Sequence, residues 1–438
     1  MKRIIAASIL AVASIASGAV AQAPETPVEA TTQPSSPTDA EVDALVQQLD
    51  NPDAAVADRA RTKLLQLGDR AKAALDRKLR GQTAAVDVLT TLQSQQFSTP
   101  TLISLKLTNA SADEAVTELS KQVGVSLKAR AGNFPPVEQS SPITCDLNRQ
   151  PFWTVVRTIC DKTQLAPNST PGEGGLFSLA PVGRSIFKLP VSTQGPVLVV
   201  LTNLTRLSTV DLQTMQLNPG QITGQLELWC EPKMRPISVT RDATVDTATD
   251  DAGNALAPRE RIMSGAFPDQ VRQNVLRASF QLTTPQSPGK TIKIVSGKIK
   301  LLTGIGEQRQ DLSDVLTGKE VTKADAEGKN HTFSAFKKNG TRFYNVRVSL
   351  PPDQRAGPPT QPALTLVASD DAGHLFPQTN VSLTRAGARG PEYSVSFQAP
   401  ADDEGRPIDG PPTKLTWVYP LKSQEMLVPF EFKDLPLP

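Results

Sequence analysis

Two histidines, three cysteines and a few paired carboxylates are the side chains in this sequence with chemistry to offer. Histidine comes first, because its proton exchanges near neutral pH and it serves most acid–base, nucleophilic and zinc sites. His374 directly follows the run Asp370-Asp371-Ala372-Gly373, which would place an imidazole beside two carboxylates. Zinc normally takes three protein ligands, and a solvent-exposed turn accounts for the same residues more cheaply. His331 lies in a loop-like context with no such neighbours. The run Asp250-Asp251-Ala252-Gly253 echoes the one at Asp370, and paired aspartates also suit calcium. A calcium loop needs ligands at several spaced positions, however, whereas an aspartate that bonds its own backbone followed by a glycine at positive φ closes a hairpin. No metal site is expected.

Other catalytic patterns are missing from the sequence. It contains no G-x-S-x-G elbow, no H-E-x-x-H and no Walker loop. Gly172-Glu173-Gly174-Gly175 follows a helical pattern and precedes a strand, the reverse of a dinucleotide turn, and Asp402-Asp403-Glu404-Gly405 reads as an exposed polar loop. The sequence therefore predicts no catalytic residue, no cofactor and no enzyme. Cys145 and Cys160 are close enough in sequence to pair as a disulfide, and Cys230 is remote. Three buried small hydrophobic side chains are the favoured alternative, and no C-x-x-C offers redox chemistry. Trp229 and Trp417 sit in alternating strands and are expected in cores. Trp153 occupies a surface-leaning helix position, which makes it the interface candidate.

The elements that would position these residues begin with an export signal. Lys2 and Arg3 precede an apolar run from Ile4 to Val20, and Ala21-Gln22-Ala23 fits a signal-peptidase site, so residues 1–23 are expected to be removed. No later segment has the length of apolar sequence a membrane span needs. The expected location is the periplasm or cell surface, with no transmembrane segment in the mature chain. A net charge of +2 gives no reason to expect nucleic acid. Residues 24–37 are rich in Pro, Ser and Thr and read as a disordered linker.

From Thr38 the pattern is helical. Thr38 and Glu41 form a capping box, and Val42, Leu45, Val46 and Leu49 make one apolar stripe. The string from Leu49 to Leu79, with its Asn51-Pro52-Asp53 break, Val56, Ala60, Leu64, Gly68 and Leu75, resembles a HEAT-type repeat, so 38–97 is expected to be a HEAT-like helical segment. Residues 58–80 carry eight Lys/Arg against three Asp, a basic face that an anionic wall polymer could meet.

Next comes an internal duplication. Residues 103–125 and 143–165 align without a gap at an offset of 40. Ile103, Leu105 and Leu107 alternate as Ile143, Cys145 and Leu147 do, and Val116 and Leu119 then match Val156 and Ile159. The apolar period changes from 2 to 3.6 at the same point in both copies, as strand gives way to helix. A further strand is expected after each helix, at Val125–Ala129 and Leu176–Leu179. With Ile143-Thr144-Cys145-Asp146-Leu147 before Pro151-Phe152, residues 100–182 resemble the short N-terminal domain of secretins and TonB-dependent receptors. That resemblance implies a periplasmic protein-docking module without catalytic residues.

Beyond about residue 186 short alternating runs recur between turn clusters, among them Val197–Leu201, Gln225–Trp229, Val275–Leu282, Phe343–Ser349 and Leu415–Tyr419. They predict two β-sandwiches, 186–305 and 325–438, joined near 306–311. The fold class expected is multidomain α+β: a short helical N-terminal segment, a small duplicated β-α-β domain, then two all-β sandwich-like domains. The expected function is a non-catalytic envelope scaffold whose partner is another envelope protein, linked to a secretin or TonB-type system. The alternative is recognition of a wall or exopolysaccharide glycan by a sandwich face, which exposed aromatics would favour and buried tryptophans would oppose.

Overall fold

The structure is a computed structural model of the 438-residue chain. It describes residues 38–68, 71, 75, 83–125, 127–129, 142–163, 165–168, 178–181, 185–213, 216–217, 220–240, 242–259, 275–285, 287–340, 342–351, 365–387, 390–400, 408 and 410–438. The expected signal peptide and linker lie outside these residues, as do the Gly172 and Asp402 runs.

Among the described residues the protein is mostly β, with 53% strand and 22% helix arranged in several small sheets. This corrects the α+β class expected from sequence. Among the described residues the α-helices are confined to the first 165 positions, and the strands after them are longer than their clearest alternating cores suggest.

Helices α1 (Asp39–Gln48), α2 (Ala54–Leu67) and α3 (Thr83–Ser98) come first. Thr38 caps α1 as its spacing predicts, taking the Glu41 carboxylate on its own N–H at 2.6 Å. Val42, Val46, Leu49, Ala60, Leu64, Leu75, Val88 and Leu92 bury a small core of their own. The helices are also fixed to the first sandwich: Phe97 enters its core, and Ser94 Oγ donates to Gln424 Oε1 at 2.6 Å.

The duplicated segment holds β1 (Leu102–Ala110), α4 (Ala112–Val123), β2 (Lys128–Ala129), β3 (Ile143–Pro151), α5 (Phe152–Thr163), β4 (Leu165–Asn168) and β5 (Ser178–Pro181). β1 pairs antiparallel with β3 in a two-stranded sheet, while β2, β5 and β4 form a second sheet in that order. In the second copy the strand directly after the helix is β4, ahead of the expected 176–179 run. α4 packs on β1 and β2, and α5 on β1, β3 and β4, so the helix pair touches both sheets. The 40-residue offset extends to the backbone. Asn109 and Arg149 occupy matching places at bulges of β1 and β3, with φ of 53° and 46°. Asparagine enters the left-handed region readily, but arginine does so at a cost of about 1 kcal/mol. Replacing Arg149→Asn is therefore expected to raise stability by about 0.5–1 kcal/mol in urea unfolding; no gain would mean that the corner carries no strain.

Two sheets then close on one core. The first holds β6 (Val191–Gln194), β7 (Val197–Leu207), β10 (Gln221–Cys230), β13 (Ala257–Pro258) and β14 (Val275–Thr283), in the order β13-β14-β10-β7-β6. Between its strands, β8 (Val210–Asp211) and β9 (Gln216–Leu217) form a small hairpin. The facing sheet holds β11 (Pro236–Val239), β12 (Thr244–Asp250) and β15 (Thr291–Ile305). Its outer member is the last strand of the chain, β25 (Lys422–Pro436), which runs antiparallel to β15 from Thr291↔Pro436 to Ile305↔Lys422. The expected division at 186–305 and 325–438 is corrected accordingly: 422–436 belongs to the first sandwich, and the second β unit is inserted between β15 and β25. Phe280 and Phe430 stack across this core at 6.1 Å.

The inserted unit has β16 (Gln308–Asp311), β17 (Val321–Ala324), β18 (Asn330–Asn339), β19 (Phe343–Ser349), β20 (Thr365–Ser369), β21 (Leu375–Phe376), β22 (Gln378–Gly387), β23 (Gly390–Gln398) and β24 (Lys414–Tyr419). Sheets ordered β16-β24-β20-β21 and β17-β18-β19-β23-β22 enclose a separate core around Phe333, Tyr393, Phe397 and Trp417.

Candidate docking site and its mounting

The carboxylates that offered chemistry in sequence are engaged in closing turns. Asp250 N–H donates to Asn254 O at 3.0 Å and Gly253 N–H returns to Asp250 O at 3.1 Å. The Asp250 carboxylate accepts from the amides of Ala252, Asn254 and Gly289 at 2.7–3.0 Å. Hydrogen bonds from Gly289 and Asn254 hold its carboxyl below the usual carboxylate range. The Asp370 turn repeats the geometry, with Asp370 N–H on His374 O at 3.1 Å. Sequence reading missed a third copy: Asp325 N–H donates to Lys329 O at 2.9 Å, and its Oδ1 accepts from Glu327 and Lys329 amides. Gly253, Gly328 and Gly373 take φ of 84°, 78° and 86°, so each turn needs its glycine. Asp325-Ala326-Glu327-Gly328 lacks the doubled aspartate, although aspartate three residues before glycine was signal enough.

Both histidines also serve these turns. His374 Nδ1 lies 2.8 Å from Asp370 Oδ2, while Asp371 turns away to accept from Thr413 Oγ1 at 2.8 Å, so His374 and the two aspartates do not converge. His331 is buried, its Nε2 2.9 Å from Asp325 Oδ2 and its ring 4.7 Å from that of Trp417. Among the described residues, no hydroxyl or thiol hydrogen-bonds to either imidazole. Nor does any group of three His, Cys, Asp or Glu among them converge to hold a metal. Cys145, Cys160 and Cys230 are free thiols, so the Cys145–Cys160 disulfide is not formed. Burial pushes the Cys160 thiol far up and that of Cys230 up to about 12, which leaves both protonated and inert at neutral pH.

Trp153 requires the clearest correction. It is 2% exposed, edge-on to Phe152 at 5.1 Å, and its indole N–H donates to Pro196 O at 3.2 Å. Pro196 lies in the turn between β6 and β7, so Trp153 faces the first sandwich and not a partner. The equivalent position in the first copy is Asp113, which is exposed. One repeat position has two environments: Asp113 is exposed, whereas Trp153 is buried in the core that continues into the first sandwich. The β-α-β core accordingly runs on into Phe187, ahead of β6, and into Leu198, Val200, Trp229 and Val275 on the outer face of the first sheet.

A buried carboxylate completes this joint. Glu231, directly after β10, has a side chain 0% exposed. Its Oε2 accepts from Thr101 N–H at 3.0 Å and from Thr101 Oγ1 at 2.6 Å, and Lys233 Nζ stands 3.4 Å away. Thr101 O in turn accepts from Phe152 N–H at 2.9 Å, so Glu231 holds the start of β1 and, through it, the start of α5.

Mounted in this way, the two-stranded sheet β1–β3 turns its far face outward, with Lys106 and Asp146 both exposed and 4.0 Å apart. The free edge of β1 is partly closed by α4: Gln122 accepts from Ser104 N–H at 3.1 Å and donates to Ser104 O at 2.7 Å. Among the described residues β3 has no strand neighbour besides β1. The basic face of α2 is exposed at Arg59, Arg61 and Lys63, while most of 69–80 lies outside the described residues. No helix among the described residues is long and apolar enough to cross a membrane. Comparison with known proteins finds no matching family model, curated relative or solved structure.

Proposed function

We propose that this is an exported, non-catalytic envelope protein in which the duplicated β-α-β module docks another envelope protein, a component of a secretin or TonB-type system. The observation that carries the reading is the outward sheet β1–β3, held on a rigid mount and open along β3, a geometry that suits strand addition. The engagement of Asp250, Asp325, Asp370 and both histidines in turn closure supports a binding role over acid–base chemistry. The glycan alternative needs aromatic rings on an open face. Trp153, Trp229 and Trp417 are 2%, 4% and 2% exposed, and Tyr344, Tyr393 and Tyr419 are buried as well, which weighs against it.

The test is site-specific photo-crosslinking in the native envelope, with the crosslinker at Asp146 on β3 and, as control, at Lys319 in the inserted unit. Both side chains are exposed. The expected result is capture of a secretin or TonB-system component from position 146 and not from 319. Absence of any protein adduct at 146, with the bait retained on purified wall or polysaccharide, would replace docking by glycan recognition.

A further inference from the structure

The accessory units are fastened to the first sandwich in two different ways. The β-α-β module shares a continuous core with it and is locked by Trp153 and Glu231. The inserted unit shares none: its core around Phe333 and Trp417 has no residue in common with the core around Phe280 and Phe430. Among the described residues no strand of one pairs with a strand of the other. Two chain crossings join them, outward from Ile305 to Gln308 and back from Tyr419 to Lys422. Leu421 N–H donates to Ile305 O at 2.9 Å between the crossings. Leu421 also packs against the helical core of α1–α3, which braces the sandwich side of the junction.

One charged cluster spans the crossings. Glu307 forms an ion pair with Arg235, which precedes β11 in the first sandwich, and its Oε1 lies 2.5 Å from Arg309 Nε in β16. Burial opposes ionisation of Glu307, but Arg309 and Arg235 outweigh it and hold the carboxyl below its ordinary value. Gly304 and Gly306 flank the outgoing crossing. A Cβ at Gly306, where φ is +66°, would strike the Leu421 side chain, and one at Gly304 would strike Pro420. Units joined without a large apolar interface move relative to one another by default, and hinges are a few terminal residues that absorb the change in φ and ψ.

We propose that residues 308–419 form a body that turns on this two-strand hinge relative to the first sandwich and its docking module, with Arg235–Glu307–Arg309 as an ionic latch. The docking module is thus the fixed end of the molecule and the inserted β unit the steerable one. The latch is partly exposed, so salt weakens it.

Distances between spin labels on the full-length chain test this. Labels go at Lys293→Cys and Lys319→Cys, both exposed, in a Cys145→Ser background; Cys160 and Cys230 are buried. A second pair, Lys293→Cys with Lys106→Cys, spans the fixed joint. The 293–319 distribution is expected to broaden on raising salt from about 0.05 M to about 0.5 M, and to broaden likewise in Glu307→Gln, while 293–106 stays narrow throughout. A 293–319 distribution as narrow as 293–106 and unmoved by salt or substitution would overturn the hinge. A broad one that neither salt nor Glu307→Gln alters would remove the latch and, with it, the proposal. Unfolding midpoints of each variant confirm that the fold is retained.

Discussion

Deleting residues 100–182 is expected to leave an insoluble protein, whereas excising 307–420 is expected to leave a folded one. The first deletion uncovers Leu198, Val200, Trp229 and Val275, all buried in the core that the β-α-β module shares with the sandwich. Each large apolar side chain returned to water costs about 1.5–3 kcal/mol, so four together approach the whole stability of an ordinary domain. Trp153→Ala samples the same joint with one substitution: the loss of a buried indole is expected to cost about 3–5 kcal/mol. The second deletion breaks no shared core. Ile305 and Lys422 are direct partners in the β15–β25 ladder, so a two-residue Asn-Gly turn between 306 and 421 converts the two crossings into a hairpin. Soluble yield and a cooperative thermal transition check both deletions. A soluble, cooperatively folding product from the first deletion would mean that the shared core is dispensable and the module independent.

The contrast between these joints also marks where the sequence stops being informative. The duplication at 103–125 and 143–165 is legible because a change of apolar period is a local signal, and so is the capping of α1 by Thr38. The N- and C-terminal strands of a sandwich carry no comparable mark. Met426–Phe432 alternates like any strand, and nothing local says that it pairs with β15 more than a hundred residues earlier. The predicted division at 325–438 failed on that long-range pairing. Trp153 failed for a related reason. Its place in the repeat matches the exposed Asp113, and the backbone that its indole reaches belongs to the β6–β7 turn, more than forty residues later. The class as a whole tilts from α+β to mostly β because β7, β15 and β25 continue well past their alternating cores, carrying polar residues on both faces. The candidate site is legible in its element types and not in its exposure. Alternation marks β1 and β3 as strands, but the Gln122 side chain that closes one edge is a contact between a helix and a strand eighteen residues away.

The Glu231 joint gives a pH dependence with a definite sign. Burial raises the Glu231 carboxyl above its ordinary value, and Lys233 and the Thr101 hydrogen bonds only partly offset it. A group whose native pKa exceeds its unfolded value binds its proton more tightly in the folded protein. Its stabilising contribution is therefore complete below the unfolded carboxylate value of about 4.3, and is lost as pH rises through the elevated native one. Glu231→Gln keeps an oxygen for Thr101 but cannot titrate. The stability of Glu231→Gln relative to the wild type is thus expected to increase as pH rises from about 4 to about 8, with other carboxylates cancelling in the difference. Glu231→Ala behaves differently. It leaves the half-buried Thr101 amide and hydroxyl without this acceptor, at a cost of about 1–3 kcal/mol at every pH. Urea unfolding of the three proteins across the pH series separates the cases. A Gln-minus-wild-type difference that is flat with pH would show that Glu231 does not change ionisation on folding. A difference that falls with rising pH would show that the Lys233 pair, and not burial, governs the joint.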